Sequence, residues 1–258
     1  MKTLLTIALV TLLITGATSA LALGPLDASA ELGVFSKYVW RGIVVNPETV
    51  LQPDLNVSFL GFGLDIWANM DLTDQYEMSG EFNEVDYTLY YELPLPLVDL
   101  GAGFIYYDFP NTEYNSTTEF YISAAVNVIL SPSLAVYQDI DQIKGAYWEA
   151  GISHGLELSP GLSLDLGANL GLGSKGYMNG YFGVIPDPSE PLGVTAFTSA
   201  TMSNFLFTAD LPWHPLPIVT ITPSAAYSTL LGDAKDSVDL VEGDTDAFYV
   251  GLTAALAF

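Results

Sequence analysis

The chain has 258 residues, of which 50% are hydrophobic and 14% are charged, and its mean hydropathy is +0.36. Soluble domains carry about 25% charged residues, so this composition is unusual for a soluble protein. It fits the wall of a membrane barrel, in which apolar residues alternate along each strand. The 30 acidic and 6 basic residues exclude nucleic-acid binding, which needs a basic surface, and the lack of cysteine excludes disulfides and a lipid-anchored cysteine.

The first 22 residues have the features of a secretory signal peptide. Lys2 supplies the positive charge, residues 4–14 are apolar apart from two threonines, and Ala20-Leu-Ala22 fits a cleavage site. A membrane anchor at residues 4–22 is the alternative, but a spanning helix needs about 20 apolar residues. We therefore expect Sec-type export, a signal peptide at 1–22, and one outer-membrane barrel domain at 23–258.

Twelve later segments of about ten residues alternate between apolar and polar positions. In one of them, Leu164 and Leu166 share a face and Asp165 and Gly167 share the other. The pattern predicts an all-β fold, a transmembrane antiparallel up-and-down β-barrel of about 12 strands. Ten or fourteen strands also fit, because two segments are weakly patterned. A soluble β-sandwich would alternate too, but it would not usually keep charge off one face of nearly every strand. The predicted segments are 30–40, 50–60, 62–71, 84–93, 98–109, 117–129, 133–140, 146–158, 161–172, a segment that begins between 195 and 203 and ends at 211, 218–229 and 246–258.

The connections alternate between short and long. Those after the second, fourth, sixth, eighth and tenth segments are tight and contain proline or glycine, whereas the others are longer and more polar. This is the layout of outer-membrane barrels, in which the short turns face the periplasm. In the last segment, Phe248, Val250, Leu252 and Phe258 share an apolar face, and a terminal aromatic residue is typical of a closing strand. Aromatic residues near strand ends, including Tyr38, Trp40, Tyr147 and Trp213, predict girdles at the membrane boundary.

The polar face of the strands predicts the lining of the lumen. Carboxylates dominate this face, and carboxylate-lined pores favour cations. We predict a small-solute channel with an acidic, cation-preferring lumen. The side chains could instead fill the barrel as a core, because a barrel of twelve strands lies between filled and water-filled sizes. The candidate lining residues are Lys37, Arg41, Asp54, Asn56, Asp65, Trp67, Asp86, Tyr90, Glu92, Glu119, Tyr121, Glu149, Asp165 and Asn169.

Two other function classes stay open. One is a non-conducting structural or adaptor barrel of the cell envelope, which nothing in the sequence excludes. The other, less favoured, is a lipid hydrolase, for which the candidates are Ser153-His154 and His214; neither site fits a catalytic triad, so we expect no enzyme. The expected partners are outer-membrane lipids and small solutes or cations.

Two loops attract attention. Residues 230–245 hold five carboxylates, so acidic loops such as this one are candidate sites for divalent cations. The spacing of the carboxylates lacks an EF-hand pattern and favours a solvated loop. We expect no resident metal and no cofactor. Residues 173–193 form the longest loop, which either folds inward and narrows the pore or is mobile.

Several short motifs resemble one protein family. Ser36-Lys-Tyr-Val-Trp-Arg-Gly42 and Gln52-Pro53 are similar to the opening of an uncharacterised family of Gram-negative outer-membrane β-barrel proteins. Its members are conserved hypothetical proteins with an N-terminal strand that reads Ser-x-Tyr-x-x-Arg-Gly. Further similar stretches are Glu84-Val-Asp-Tyr87, Tyr106-Tyr-Asp-Phe-Pro-Asn111 and residues 222–232. The resemblance implies a barrel in the outer membrane and offers no catalytic motif.

Overall fold

Twelve long antiparallel strands close into a barrel in the computed structural model, which describes residues 26–258. The predicted signal peptide at 1–22 lies outside the described residues. Each long strand pairs with its neighbours in the chain, and β1 closes the barrel by pairing with β17. The strands are β1 (Leu26–Phe35), β2 (Tyr38–Trp40), β3 (Ile43–Asn46), β4 (Val50–Phe59), β5 (Phe62–Asp71), β6 (Phe82–Pro94), β7 (Val98–Asp108), β8 (Thr117–Val126), β9 (Ser133–Asp139), β10 (Ala146–Ser159), β11 (Leu162–Gly173), β12 (Val184–Pro186), β13 (Val194–Ala196), β14 (Thr201–Asp210), β15 (Trp213–Leu216), β16 (Val219–Leu230) and β17 (Asp246–Ala257).

Five of these strands do not belong to the twelve-stranded wall. β2 pairs with β3, and β12 pairs with β13, each in a sheet of its own, whereas β15 is a short strand beside the turn between β14 and β16. The remaining twelve strands confirm the predicted all-β antiparallel barrel and its strand number. Most strand limits fall within three residues of those expected from alternation.

The two rims of the barrel differ as predicted. Residues 60–61, 95–97, 127–132, 160–161 and 211–218 make the turns on one rim, here the turn rim, which also carries both ends of the described chain. Ala28 and Phe258 exchange backbone hydrogen bonds of 3.2 and 2.8 Å there. The opposite rim, here the loop rim, carries residues 36–49, 72–81, 109–116, 140–145, 174–200 and 231–245.

The wall has an apolar outer face. Leu89, at the middle of β6, is 60% exposed and lies opposite Leu64 on β5 and Phe104 on β7. Side chains at successive positions of a strand point to opposite faces, so the polar residues that alternate with these apolar ones along each strand point to the interior. An apolar exterior with backbone hydrogen bonds closed between strands is what a hydrocarbon surrounding requires.

The first predicted strand is wrong at its C-terminal end. The wall strand ends at Phe35, and residues 38–46 turn inward as the β2–β3 hairpin, here called the inner hairpin. Tyr38 and Trp40, expected in the membrane girdle, therefore lie inside the barrel, and so does Tyr147. Alternation of apolar residues shows that a segment is extended, but it does not show whether the segment stays in the wall.

Two short helices occupy the loop rim. α1 (Lys175–Tyr181) follows β11, and α2 (Gly232–Asp239) follows β16. The Ser237 hydroxyl of α2 donates to the carbonyl of Phe182, which ties the two loops together at 2.5 Å. Within residues 26–258, neither helix is long or apolar enough to cross a membrane.

Candidate functional site

The inner hairpin turns at Arg41 and Gly42. Trp40 pairs with Ile43, and both residues between them have positive φ, 47° for Arg41 and 88° for Gly42. This is the two-residue turn whose twist matches a β-hairpin, and it favours glycine. A Cβ on Gly42 would also lie 2.5 Å from the Cβ of Asn204 on β14, so only glycine fits.

The Arg41 side chain forms a bidentate ion pair inside the barrel. Its Nη1 and Nη2 donate to Oε1 and Oε2 of Glu119 on β8 at 2.8 and 2.7 Å. The two side chains are only 9% and 1% exposed. Tyr107 on β7 donates a further hydrogen bond of 2.9 Å to Glu119 Oε2. Two parallel charge-assisted bonds fix both the position and the orientation of the guanidinium.

Aromatic rings surround the same guanidinium. Its central carbon lies 4.5 Å from the ring centroid of Trp40 and 4.4 Å from those of Tyr137 and Tyr147. The Tyr177 ring of α1 is 5.9 Å away. Such cation–π contacts stabilise a desolvated arginine and suit its flat, weakly hydrated group better than a lysine.

The inner hairpin crosses the barrel from side to side. It begins at β1, and its tip reaches β8, β9 and β10, which lie on the opposite side in the strand order. Tyr38 packs on Trp67 of β5 with ring centroids 5.5 Å apart, and Gly42 lies against Asn204 of β14 and Leu230 of β16. The hairpin thus contacts strands on both sides of the barrel, and Glu119, Tyr147 and Asn204 beside it are at most 2% exposed.

The helix α1 packs on the hairpin. The Ser174 hydroxyl caps the helix by accepting from the Tyr177 amide at 3.3 Å, and it also accepts from the Ala146 amide at 2.8 Å. Tyr177 and Met178 are buried, and a Cβ on Gly145 would collide with the helix backbone. Of the two sequence-based options for residues 173–193, this part of the loop folds inward.

The buried surroundings also act on the second tyrosine of α1. Tyr181 lies 5.0 Å from Trp40, measured between ring centroids. Burial raises the pKa of its phenol well above the ordinary value, and the nearby negative charge of Glu119 raises it further. The Tyr181 hydroxyl therefore stays neutral and adds no charge beside the ion pair of Arg41 and Glu119.

Some of the residues predicted to line the lumen meet at the hairpin. Arg41 binds Glu119, Trp67 packs on Tyr38, and Glu149 is 3.5 Å from the Tyr147 hydroxyl. Asp86 lies opposite Trp67, and within the described residues its buried Oδ1 has no hydrogen-bond partner. Lys37 donates to the carbonyl of Pro47 at 3.1 Å at the base of the hairpin.

The other predicted residues lie along the wall away from the hairpin tip. Asn56 donates to Asp65 at 3.1 Å and accepts from Tyr90 at 3.0 Å, which links β4, β5 and β6. Tyr121 packs on Tyr137. Asp54 lies opposite Glu31, Asp165 opposite Asp210, Asn169 opposite Gly151 and Glu92 opposite Gly101. Their role as the lining of a conduction path stays a prediction.

Sequence reasoning missed most of the side chains that hold the hairpin. Tyr107, Tyr137, Tyr147, Tyr177 and Asn204 come from four strands and a helix, and no spacing connects them with Arg41. One local signal was available. Arg41-Gly42 lies between two stretches that can form β-strands, and such a pair is compatible with a two-residue hairpin turn. A hairpin at this position implies that the first wall strand ends before residue 40.

Two cavities lie within the wall. One, of about 340 Å³, is lined by polar and small residues that include Glu31, Asp210 and Thr253. The other, of about 440 Å³, includes Glu92, Asp99 and Glu149. Most of these residues belong to the part of the wall between the inner hairpin and the turn rim, here called the vestibule.

The remaining candidates show no catalytic or metal geometry. Ser153 and His154 are neighbours on β10 and therefore point to opposite faces, and His214 is exposed on the turn rim. The five carboxylates of residues 231–245 are exposed, and no group of three or more potential ligands gathers anywhere in residues 26–258. The expectation that the protein is not an enzyme stays a prediction.

Comparisons with known proteins place the chain among outer-membrane barrels. It is similar in fold to a KdgM porin in complex with disordered oligogalacturonate, with a TM-score of 0.50, 10% identity, and coverage of 90% of this chain and 99% of the porin. It is equally similar to an outer-membrane channel from Pseudomonas putida F1, with a TM-score of 0.50, 12% identity, and coverage of 92% and 97%. We found no curated protein whose sequence matches.

A family model gives the closer assignment. The model described as MltA-interacting protein MipA matches residues 8–258, nearly the whole chain. The expected resemblance to a family of outer-membrane β-barrel proteins is confirmed, and the location in the outer membrane agrees with it. The chain therefore belongs to the MltA-interacting protein MipA family.

Proposed function

We propose that this protein is a closed outer-membrane barrel that acts as an adaptor, binding an envelope protein at the cell's periplasmic side. The inner hairpin is the observation that carries the proposal. A hairpin that reaches from β1 to β8, β9 and β10 and is held by a buried ion pair would obstruct the passage of a solute at that level. The family description, an MltA-interacting protein, supports an adaptor role.

The buried ion pair between Arg41 and Glu119 stabilises the inner hairpin in its position across the barrel. Removing one partner of a buried ion pair costs about 3 to 5 kcal/mol, because the other charge is then left without compensation inside the protein. Arg41 also contacts aromatic rings, so moving the hairpin would expose both the charge and the rings. Thermal motion would open such a barrel only rarely.

A gated, cation-preferring channel is the second candidate. The vestibule carries Glu31, Glu92, Asp99 and Asp210, and the wall above it carries Asp65 and Asp86. Carboxylates would attract cations if the hairpin moved aside. In this candidate function, the acidic lumen predicted from the sequence would conduct only when the hairpin has moved aside. The transported species would be small solutes or cations.

Planar-bilayer recording separates the two candidates. The native protein is compared with a variant in which residues 38–46 are replaced by a short Gly-Ser linker. We expect no current from the native barrel and discrete openings with cation preference from the variant, reduced when Asp65→Asn and Asp86→Asn are added. Steady conductance of the native protein would refute the closed barrel.

Binding to a purified MltA protein from the same cells tests the adaptor role directly. The barrel is held in a lipid nanodisc, and binding is followed by biolayer interferometry, with empty nanodiscs as the control. We expect saturable binding to both the native barrel and the linker variant, because the hairpin lies away from the turn rim. No binding by either would contradict the adaptor role.

A further inference from the structure

The turn rim has a composition that a water-facing edge rarely has. Its five turns contain no Asp, Glu, Lys or Arg. Large apolar side chains project from them instead: Ile129 is 82% exposed, Leu60 68% and Leu97 65%, and Trp213 and Leu216 are also exposed. Contiguous exposed apolar surface on a protein usually marks a binding surface.

Basic residues are confined to one end of the barrel. All five Lys and Arg residues between 26 and 258 lie in segments of the loop rim: Lys37, Arg41, Lys144, Lys175 and Lys235. The vestibule, by contrast, carries carboxylates without a basic residue among its lining. The turn rim is therefore an uncharged apolar ring around an acidic opening.

A membrane surface fits this ring poorly. Segments that rest in the headgroup layer use Trp, Tyr, Lys and Arg as anchors. The five turns contain one Trp, Trp213, and none of the other three residue types. Proline occurs in four of the five turns, or at the strand end next to them, and holds these turns rigid, as a preformed binding edge requires.

We infer that the turn rim is the docking surface for an envelope protein that inserts a basic segment into the vestibule and packs apolar side chains on the surrounding ring. This inference rests on the adaptor role proposed above and adds the surface and the chemistry of the partner. Opposite charge steers the basic segment to the opening, and apolar contact with the ring supplies the remaining affinity.

The chemistry can be tested with a synthetic probe. The probe is a fluorescein-labelled peptide of twelve alternating lysines and leucines, and its binding to the barrel in phosphatidylcholine nanodiscs is measured by anisotropy. The vestibule variant combines Asp210→Asn with Asp165→Asn at the position opposite it in the wall. In the matched control, Asp233→Asn and Asp236→Asn remove the same charge from the loop rim. We expect the vestibule variant to weaken binding at least about tenfold and the control to change it less than about twofold.

The apolar ring has its own pair of variants. Ile129→Ser removes an exposed β-branched residue from the turn rim, and Val241→Ser removes one, 77% exposed, from the loop rim. Only Ile129→Ser is expected to weaken peptide binding. Equal binding by all variants, or equal binding to empty nanodiscs, would overturn the inference and assign the affinity to lipid.

The same variants distinguish a failed inference from a failed adaptor role. If MltA binds the native barrel and binds the vestibule and ring variants equally well, the adaptor role stands and the docking surface is wrong. If MltA loses affinity for the vestibule and ring variants but not for the two controls, the surface is supported for a protein partner as well as for the peptide.

Discussion

At the scale of single residues, two ion pairs of this protein differ greatly in consequence. Arg41 and Glu119 are 9% and 1% exposed, whereas Lys235 and Asp246, which are 2.9 Å apart, are 40% and 42% exposed. An exposed pair contributes little to stability, because water and salt screen it. Breaking the buried pair leaves a charge inside the protein and costs several times more. Arg41 therefore governs the position of the hairpin, and Lys235 does not.

A substitution at Gly42 tests whether the tip of the inner hairpin packs against the wall. Gly42→Ala places a Cβ against Asn204 and Leu230 at φ 88°, and positive φ together with overpacking costs about 2 to 4 kcal/mol. We expect faster hydrogen exchange at the amides of residues 38–46, measured by mass spectrometry.

Gly193→Ala is the matched control for this substitution. Gly193 also has positive φ, 71°, but a Cβ there would meet no atom of residues 26–258 within 4 Å. It should leave exchange in the hairpin unchanged. Protection of the hairpin in Gly42→Ala as strong as in the native protein would show that the tip does not pack on β14.

At the scale of elements, the inner hairpin depends on its surroundings. β2 and β3 pair with each other and with no strand of the wall, and an isolated two-stranded hairpin is at best marginally stable in water. Its contacts with Trp67, Tyr107, Glu119 and Asn204 must therefore supply the stability that its own hydrogen bonds lack. The helix α1 covers part of these contacts.

Removal of the α1 cap tests this dependence. Ser174→Ala deletes the acceptor for the Tyr177 and Ala146 amides and should cost about 1 kcal/mol. We expect faster exchange at the amides of α1 and then at those of the inner hairpin. Ser189→Ala is the control: the Ser189 hydroxyl donates to Asp187 in the β12–β13 loop, away from α1 and the inner hairpin, so the substitution should change neither region. Faster exchange in α1 alone would show that the helix does not support the hairpin.

Alternation identified the wall elements well and the inner elements poorly. The expected limits 62–71 and 50–60 agree with β5 and β4, because period-two polarity is imposed by the two faces of a membrane wall. The predicted segment 30–40 runs through Ser36 and Lys37 because Tyr38 and Trp40 continue the apolar pattern. Tyr38 is buried and Trp40 half-buried by the hairpin's own partners, which the local pattern does not show.

At the scale of the whole molecule, the outer face should tolerate no charge at its middle. Leu89 lies in the middle of β6 on the apolar face. Leu89→Arg should therefore destabilise the barrel by about 2 to 4 kcal/mol. The measurement is the urea midpoint of unfolding in lipid vesicles. Leu192→Arg is the control, because Leu192 is 88% exposed on a loop, and it should leave the midpoint unchanged. Equal midpoints would show that Leu89 does not face hydrocarbon.

The sequence alone determined the barrel, the arrangement of turns and loops, and the excess of carboxylates on the inner face, whereas it left ten, twelve or fourteen strands open and the structure has twelve. Each of these follows from local pattern, because every strand must present one face to hydrocarbon and one to the interior. Only the tertiary structure decided that the interior is crossed by the inner hairpin. Arg41 meets Glu119, 78 residues away along the chain, and the rings of Tyr137 and Tyr147, and no local rule relates residues that become neighbours only when the barrel closes.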